Sequence, residues 1–284
     1  MSDPTRNVFS RPFLRFNARP PFSFDLPQDP LLSPSAVRDQ LRFQQRVAAL
    51  GSKPARDLTQ EEARDLTAYY ALTGQITLEK QVTFDPYGKP AFPKPNEKVK
   101  LGVTIAGVSF VPANADPAKW PVTYPLDMRL VVLLVRLSQY LNSSPWGVTI
   151  IYWGGLGIAG SDPQDRHGKG FALDFHGAVT RRGKYMVRQD WWSRPITLPG
   201  GKPAPHNKWP VNVQPYFRLD VDDPSGAGAF FYDVYHFLTG EAADGFNPAK
   251  PTSIGDHSYI LHPDHPDPNV RDSHFDHIHT EIDR

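Results

Sequence analysis

Two short stretches concentrate the side chains able to hold a metal ion or move a proton. The first, His167 to Asp174, reads HGKGFALD; the second, Ser273 to Asp283, reads SHFDHIHTEID. The chain contains no cysteine, so disulfides and thiolate metal sites are excluded, and any bound metal must take its ligands from His, Asp or Glu. A strand over Phe171 to His176 directs Ala172, Asp174 and His176 to one face and Phe171, Leu173 and Phe175 to the opposite, apolar one. His167 belongs to the preceding turn, where Gly168 and Gly170 let the backbone fold close enough for His167 and Asp174 to reach a single ion. In the second stretch a strand places His277 and His279 on one face. One of them then completes a site of two histidines and one carboxylate, the kind that binds catalytic zinc with an open fourth position for water. Ile278 and Ile282 point away into the core, and His176 is expected beside the ligand set, outside it.

The pattern H-x-x-G-x-A-x-D from His167 to Asp174, followed about a hundred residues later by D-x-x-H and H-x-H, resembles zinc peptidases of the lysostaphin, D-Ala-D-Ala peptidase and Sonic hedgehog fold group. The ending HFDHIH is similar to the H-x-x-H-x-H of penicillin-insensitive murein endopeptidases. DHIH is similar to the D-x-x-H of phage L-alanyl-D-glutamate endopeptidases. The resemblance covers Gly147 to Ile282. It implies an α+β fold, an antiparallel sheet with flanking helices. The activity it implies is zinc-dependent hydrolysis of an amide bond in peptidoglycan stem peptides or cross-links, of carboxypeptidase or endopeptidase type. Carried over position by position, the zinc ligands are His167, Asp174 and His279. Asp276 becomes the acid that takes a proton from water and delivers it to the departing amine, His277 the group that stabilises the tetrahedral intermediate, and His274 a further active-site histidine. Two departures stand out. The D-Ala-D-Ala enzymes have Ser-x-His at the first ligand and an arginine in the preceding strand and loop, where this chain has DRH and IIYWGGLGIAG. Arg166 is the nearest substitute for that arginine. The competing expectation is a metal-stabilised module that binds wall peptide or a protein partner without cutting.

These residues need a frame. PLDMRLVVLLVRLSQYLNS, Pro125 to Ser143, reads as a core helix with Pro at its start and an almost continuous apolar body. WGVTIIYWGG, from Trp146, reads as a strand ending in glycines, GAFFYDVYHFLTG as a buried helix and HFDHIHTEI as the final strand. Upstream, helices are expected over Ser35 to Leu50 and Thr59 to Thr73, the second opened by a capping box of Thr59 and Glu62 and stopped by Gly74. Short β-type runs fill Gln75 to Pro121. The organisation is therefore a Pro-rich extended arm (1–34), a small helical and linker region (35–120) and a zinc peptidase domain (121–284). A Trp- and Pro-rich stretch within 181–215 offers a cleft wall or a self-packed loop. The irregular loop of 241–272 carries His257, His262 and His265 at spacings that do not suit a second zinc site.

Composition narrows the class further. Of 284 residues 39% are hydrophobic, enough for a sizeable core. Thirty-one Lys and Arg nearly cancel thirty Asp and Glu, and their scatter excludes the basic footprint of a nucleic-acid binder. Thirty prolines are about twice the usual share and predict long ordered loops. The N-terminal stretch lacks the apolar segment of a secretory signal, and no run is long enough to span a membrane. Cytoplasmic synthesis without Sec export is the expectation, and a wall substrate then requires release by lysis or injection by a secretion machine. An immunity protein would be a partner in the second case.

Overall fold

The computed structural model describes residues 34–85, 89–113, 123–156, 165–191, 219, 222–242, 260–263 and 273–282. The Pro-rich arm before Pro34, the loop 157–164, the aromatic segment from 192 to 215, and His257 and His265 lie outside the described residues.

Helix α1 (Pro34–Leu50) leads through a 3-10 turn (Ala55–Asp57) into α2 (Gln60–Leu72). The Thr59 hydroxyl accepts the Glu62 N–H at 3.2 Å and the Glu62 carboxylate accepts the Thr59 N–H at 2.7 Å, so the capping box forms as its spacing predicts. A two-residue ribbon follows, β1 (Thr83–Phe84) against β2 (Pro90–Phe92), then the hairpin β3 (Thr104–Ile105) and β4 (Val108–Pro112).

The core helix α3 spans Met128–Ser143, three residues later than the Pro125 start read from the sequence. Leu126 is held extended because its N–H and C=O both bond to Val99, at 2.8 and 2.9 Å. Asp127 therefore caps the helix, its carboxylate accepting the Arg129 N–H at 2.9 Å. Met128 and every residue from Leu130 to Ser138 are buried. Each of its buried Leu and Val side chains contributes about 1.5–3 kcal/mol to holding the helix in place.

The sheet continues with β5 (Ile150–Gly154), β6 (Ala172–Thr180), β7 (Gly183–Met186), β8 (Ile260–Leu261) and β9 (Ile278–Glu281). Its order is β3-β4-β5-β6-β9-β8, and β7 also pairs with β6. Helical turn α4 (Val187–Asp190) and helix α5 (Ala227–Ala242) complete the fold. The chain is α+β, but the sheet is mixed where an antiparallel one was expected: β4 and β5 run parallel. Helix α3 lies in the connection between them, which gives the chain length to return in the same direction.

Beyond that pair, all strand pairings among the described residues are antiparallel. The sheet reaches across position 121, since β3 and β4 precede it and β5 to β9 follow. One apolar core joins Phe43 and Val47 of α1, Leu133 of α3, Leu173 and Phe175 of β6, Phe230 of α5 and Ile278 of β9. A buried ion pair stitches the same parts together. Arg136 on α3 donates to Glu241 on α5 at 2.9 Å and to the carbonyls of Lys53 and Leu50 at 2.7 and 3.1 Å. Glu241 also accepts the Ala55 N–H at 2.9 Å.

Candidate metal centre

Strands β6 and β9 bring the two sequence stretches together. In their antiparallel register Asp174 stands directly opposite His279, which places the two side chains on one face within contact distance. On the other side of β6, Asp174 pairs with Gly154 of β5. The register shifts beside it, with Tyr152 opposite Gly177 and Trp153 opposite Phe175, so His176 is an extra residue on β6. Gly154 leaves room for that ring: a Cβ there would lie 2.7 Å from His176 Nε2. The apolar face is as the alternation predicts, Leu173 and Phe175 being fully buried.

His167 arrives from the turn before β6. Its N–H donates to the Asp165 carboxylate at 2.9 Å, and the Gly170 N–H closes the turn on the His167 carbonyl at 2.9 Å. The His167 ring is set by a second contact, 2.9 Å from Nδ1 to the Gly155 carbonyl. A carbonyl can only accept, so Nδ1 carries the proton and Nε2 faces the site. His277 repeats this logic, with Nδ1 at 2.7 Å from the Asp276 carboxylate and Nε2 turned inward.

Three imidazole nitrogens thereby converge on one carboxylate oxygen. Asp174 Oδ1 lies 2.8 Å from His279 Nδ1, 3.4 Å from His167 Nε2 and 3.4 Å from His277 Nε2. The far side of His279, Nε2, lies 3.0 Å from Glu281 Oε1.

The electrostatics follow from this packing. Burial opposes charge on Asp174, but the His279 hydrogen bond and the neighbouring His277, His279 and His167 hold its carboxyl far below the usual range. Burial also opposes charge on His279, and the bonds to Asp174 and Glu281 overcome it, pushing the ring up to about 9. For Asp276 burial is outweighed by the bond to His277 and by the charges of His277, His176 and Arg188, so its carboxyl titrates low and is ionised at neutral pH. His176 is pushed down by burial and by His277, against the pull of Asp276 and Asp174.

Among the described residues, three groups have ligand atoms within 4.8 Å of one another: His167 with Asp174 and His279; His274 with His277 and His279; and His176 with Asp276 and His277. All six residues singled out from sequence thus gather in one place. The first group is the ligand set expected for a metal, two imidazoles and a carboxylate, and its donors come from a turn and two neighbouring strands. It fits a divalent cation of borderline softness. His274, placed by the sequence among the catalytic residues, sits with its ring 5.0 Å from that of His277 and 5.4 Å from that of His279. Asp276 falls into a different group from Asp174 and lies behind the His277 ring. Arg166 points elsewhere than expected of an oxyanion donor, since its guanidinium pairs with Glu281 at 3.8 Å. His262 stacks on Trp191 at 5.9 Å.

Two residues at the site, Gly155 and Glu281, escaped the sequence reading, and a third, His176, was expected beside the ligands but by a different route. Gly155 orients His167 through a main-chain carbonyl, which carries no side-chain signal. His176 is placed by a register shift that a strict two-residue period does not foresee. Glu281 was legible in principle, two residues after His279 on the same strand and so on the same face. No protein family, curated protein or solved structure matches the chain.

Proposed function

We propose that the chain is a zinc-dependent peptidase that hydrolyses an amide bond in peptidoglycan stem peptides or cross-links. The observation that carries this reading is the convergence of His167 Nε2, His277 Nε2 and His279 Nδ1 on the single oxygen of Asp174. Imidazole nitrogens meeting a carboxylate at one point need a positive charge among them, supplied by the proton that His279 shares with Asp174 or by a cation that displaces it. Zinc held by His167, Asp174 and His279 supplies Lewis acidity, polarising a carbonyl and lowering the pKa of water to about 7.

The remaining chemistry belongs to the chain. His277 stands beside the ligand set with its Nε2 turned toward Asp174, while the Asp276 carboxylate accepts its Nδ1–H. That geometry supports His277 Nε2 as the atom that receives the proton from attacking water and returns it to the departing amine, with Asp276 fixing the ring and offsetting the charge it gains. The sequence resemblance gave the proton to Asp276 and the oxyanion to His277. The bond between them favours a dyad in which His277 faces substrate. His274, packed on both His277 and His279, is positioned to donate to the developing oxyanion, an interaction worth about 3 kcal/mol in comparable sites.

The wall substrate rests on the resemblance to murein peptidases and the D-Ala-D-Ala peptidase group, including the finer expectation of their fold. Among the described residues no helix is long and apolar enough to cross a membrane. In this reading the enzyme acts on the wall outside the membrane, as a phage-type lysin or a secreted antibacterial effector. The test is digestion of purified sacculi with mass spectrometry of the released peptides, alongside zinc content by atomic absorption. His167→Ala and Asp174→Ala are expected to lose both zinc and peptide release; undiminished cleavage by either variant refutes the assignment.

A further inference from the structure

The metal-facing nitrogen of a histidine is set by what its other nitrogen bonds to. His167 uses the Gly155 carbonyl for this and His277 uses Asp276. For His279 the partner is Glu281, whose Oε1 lies 3.0 Å from Nε2. Glu281 is a buried carboxylate, its side chain 9% exposed, in a position where an unpaired acid is costly. Two features accommodate it. Its strand neighbour across the β6–β9 ladder is Ala172, whose small side chain leaves space for the carboxylate. Its second oxygen faces Arg166, 3.8 Å away in the turn that also carries His167.

We propose that Glu281 is the positioning residue of the metal centre: it fixes His279 in the tautomer that points Nδ1 at the ion and raises the basicity of that nitrogen, with Arg166 holding the carboxylate in place. This rests on the ligand set proposed above and adds a residue that the resemblance does not supply. The chain of contacts runs Arg166, Glu281, His279, Asp174, so the turn bearing one ligand is tied through the outer carboxylate to the strand bearing another. Glu281 touches neither substrate nor ion, and its effect is exerted on affinity.

The experiment is a zinc titration of the full chain against a competing chelator, for wild type, Glu281→Gln and Glu281→Ala, with folding of each metal-free protein followed by circular dichroism. Glutamine keeps an acceptor oxygen and loses the charge; alanine loses both. Outer-shell partners of this type alter affinity by about 10- to 100-fold, so the expected order is wild type tightest, Gln weaker and Ala weakest by up to about 100-fold. The visible bands of the cobalt(II)-loaded protein are expected to shift in Glu281→Gln, because the donor strength of His279 changes. Variants that stay folded and bind zinc within about twofold of wild type, with unchanged cobalt bands, overturn the proposal, even if their metal-free stability has moved. A wild type that binds zinc and leaves sacculi intact refutes the peptidase reading alone; the graded affinities still support Glu281.

Discussion

Gly155→Ala is the sharpest perturbation of the site, because it changes no ligand and no charge. Gly155 has φ +69°, a conformation that costs an L-residue about 1–2 kcal/mol. A Cβ there would also lie 2.9 Å from His167 Cγ and closer still to Nδ1, so the ring must swing away. That movement breaks the 2.9 Å bond between Nδ1 and the Gly155 carbonyl, worth about 0.5–1.5 kcal/mol net. Together the two effects predict a loss of about 1.5–3.5 kcal/mol in stability. The control is Gly74→Ala, at nearly the same φ of +71° but with nothing within 4 Å of the added atom; it should lose the backbone cost alone. Zinc affinity separates the two variants more cleanly. Displacing the outer partner of His167 is expected to weaken binding about 10- to 100-fold, while Gly74→Ala binds as wild type does. Urea unfolding of the metal-free proteins and chelator competition read the two quantities. If Gly155→Ala binds zinc as tightly as Gly74→Ala, His167 is not held by this contact or is not a ligand, and the reasoning fails.

Two further outcomes are expected. His277→Ala should lower turnover on muropeptides by about 10²- to 10⁴-fold with zinc content retained, and Asp276→Asn should fall less far; a larger loss in Asp276→Asn returns the proton to Asp276 as the sequence resemblance had it. Glu241→Ala strands the buried Arg136 guanidinium and should cost about 3–5 kcal/mol in urea unfolding, whereas the double change Arg136→Met with Glu241→Leu should recover only part of it, because the Ala55 N–H and the Lys53 and Leu50 carbonyls lose their partners. An unshifted midpoint in Glu241→Ala would mean that the α1 and 3-10 segment is not tied to α3 and α5 through this pair.

Much of the frame is written locally. The capping box of Thr59 and Glu62 and the apolar body of α3 are short-range patterns with one physical outcome, and both form. The alternation across Leu173, Asp174 and Phe175 likewise leaves little choice, because a one-residue slip would expose the apolar pair. Local pattern fails where a distant backbone intervenes. Pro125 looked like a helix start, but Val99 claims both main-chain groups of Leu126 and the helix waits for Asp127. The parallel pairing of β4 with β5 is a property of the α3 crossover, and no residue in either strand announces it.

The same division runs through the metal centre. Sequence alone determined which side chains are available: a chain without cysteine, with His167 and Asp174 in one stretch and His274, Asp276, His277 and His279 in another, and a strand period that puts Asp174 and His279 each on a definable face. Only the tertiary structure decided that β6 and β9 are neighbours in a register that sets Asp174 opposite His279, residues 105 positions apart. It also decided which nitrogen of each ring faces inward, since that depends on the Gly155 carbonyl, the Asp276 carboxylate and Glu281. A histidine's chemistry is set by the partner of its second nitrogen, and for His167 that partner is supplied by the strand end before the turn, for His279 by a residue on its own strand.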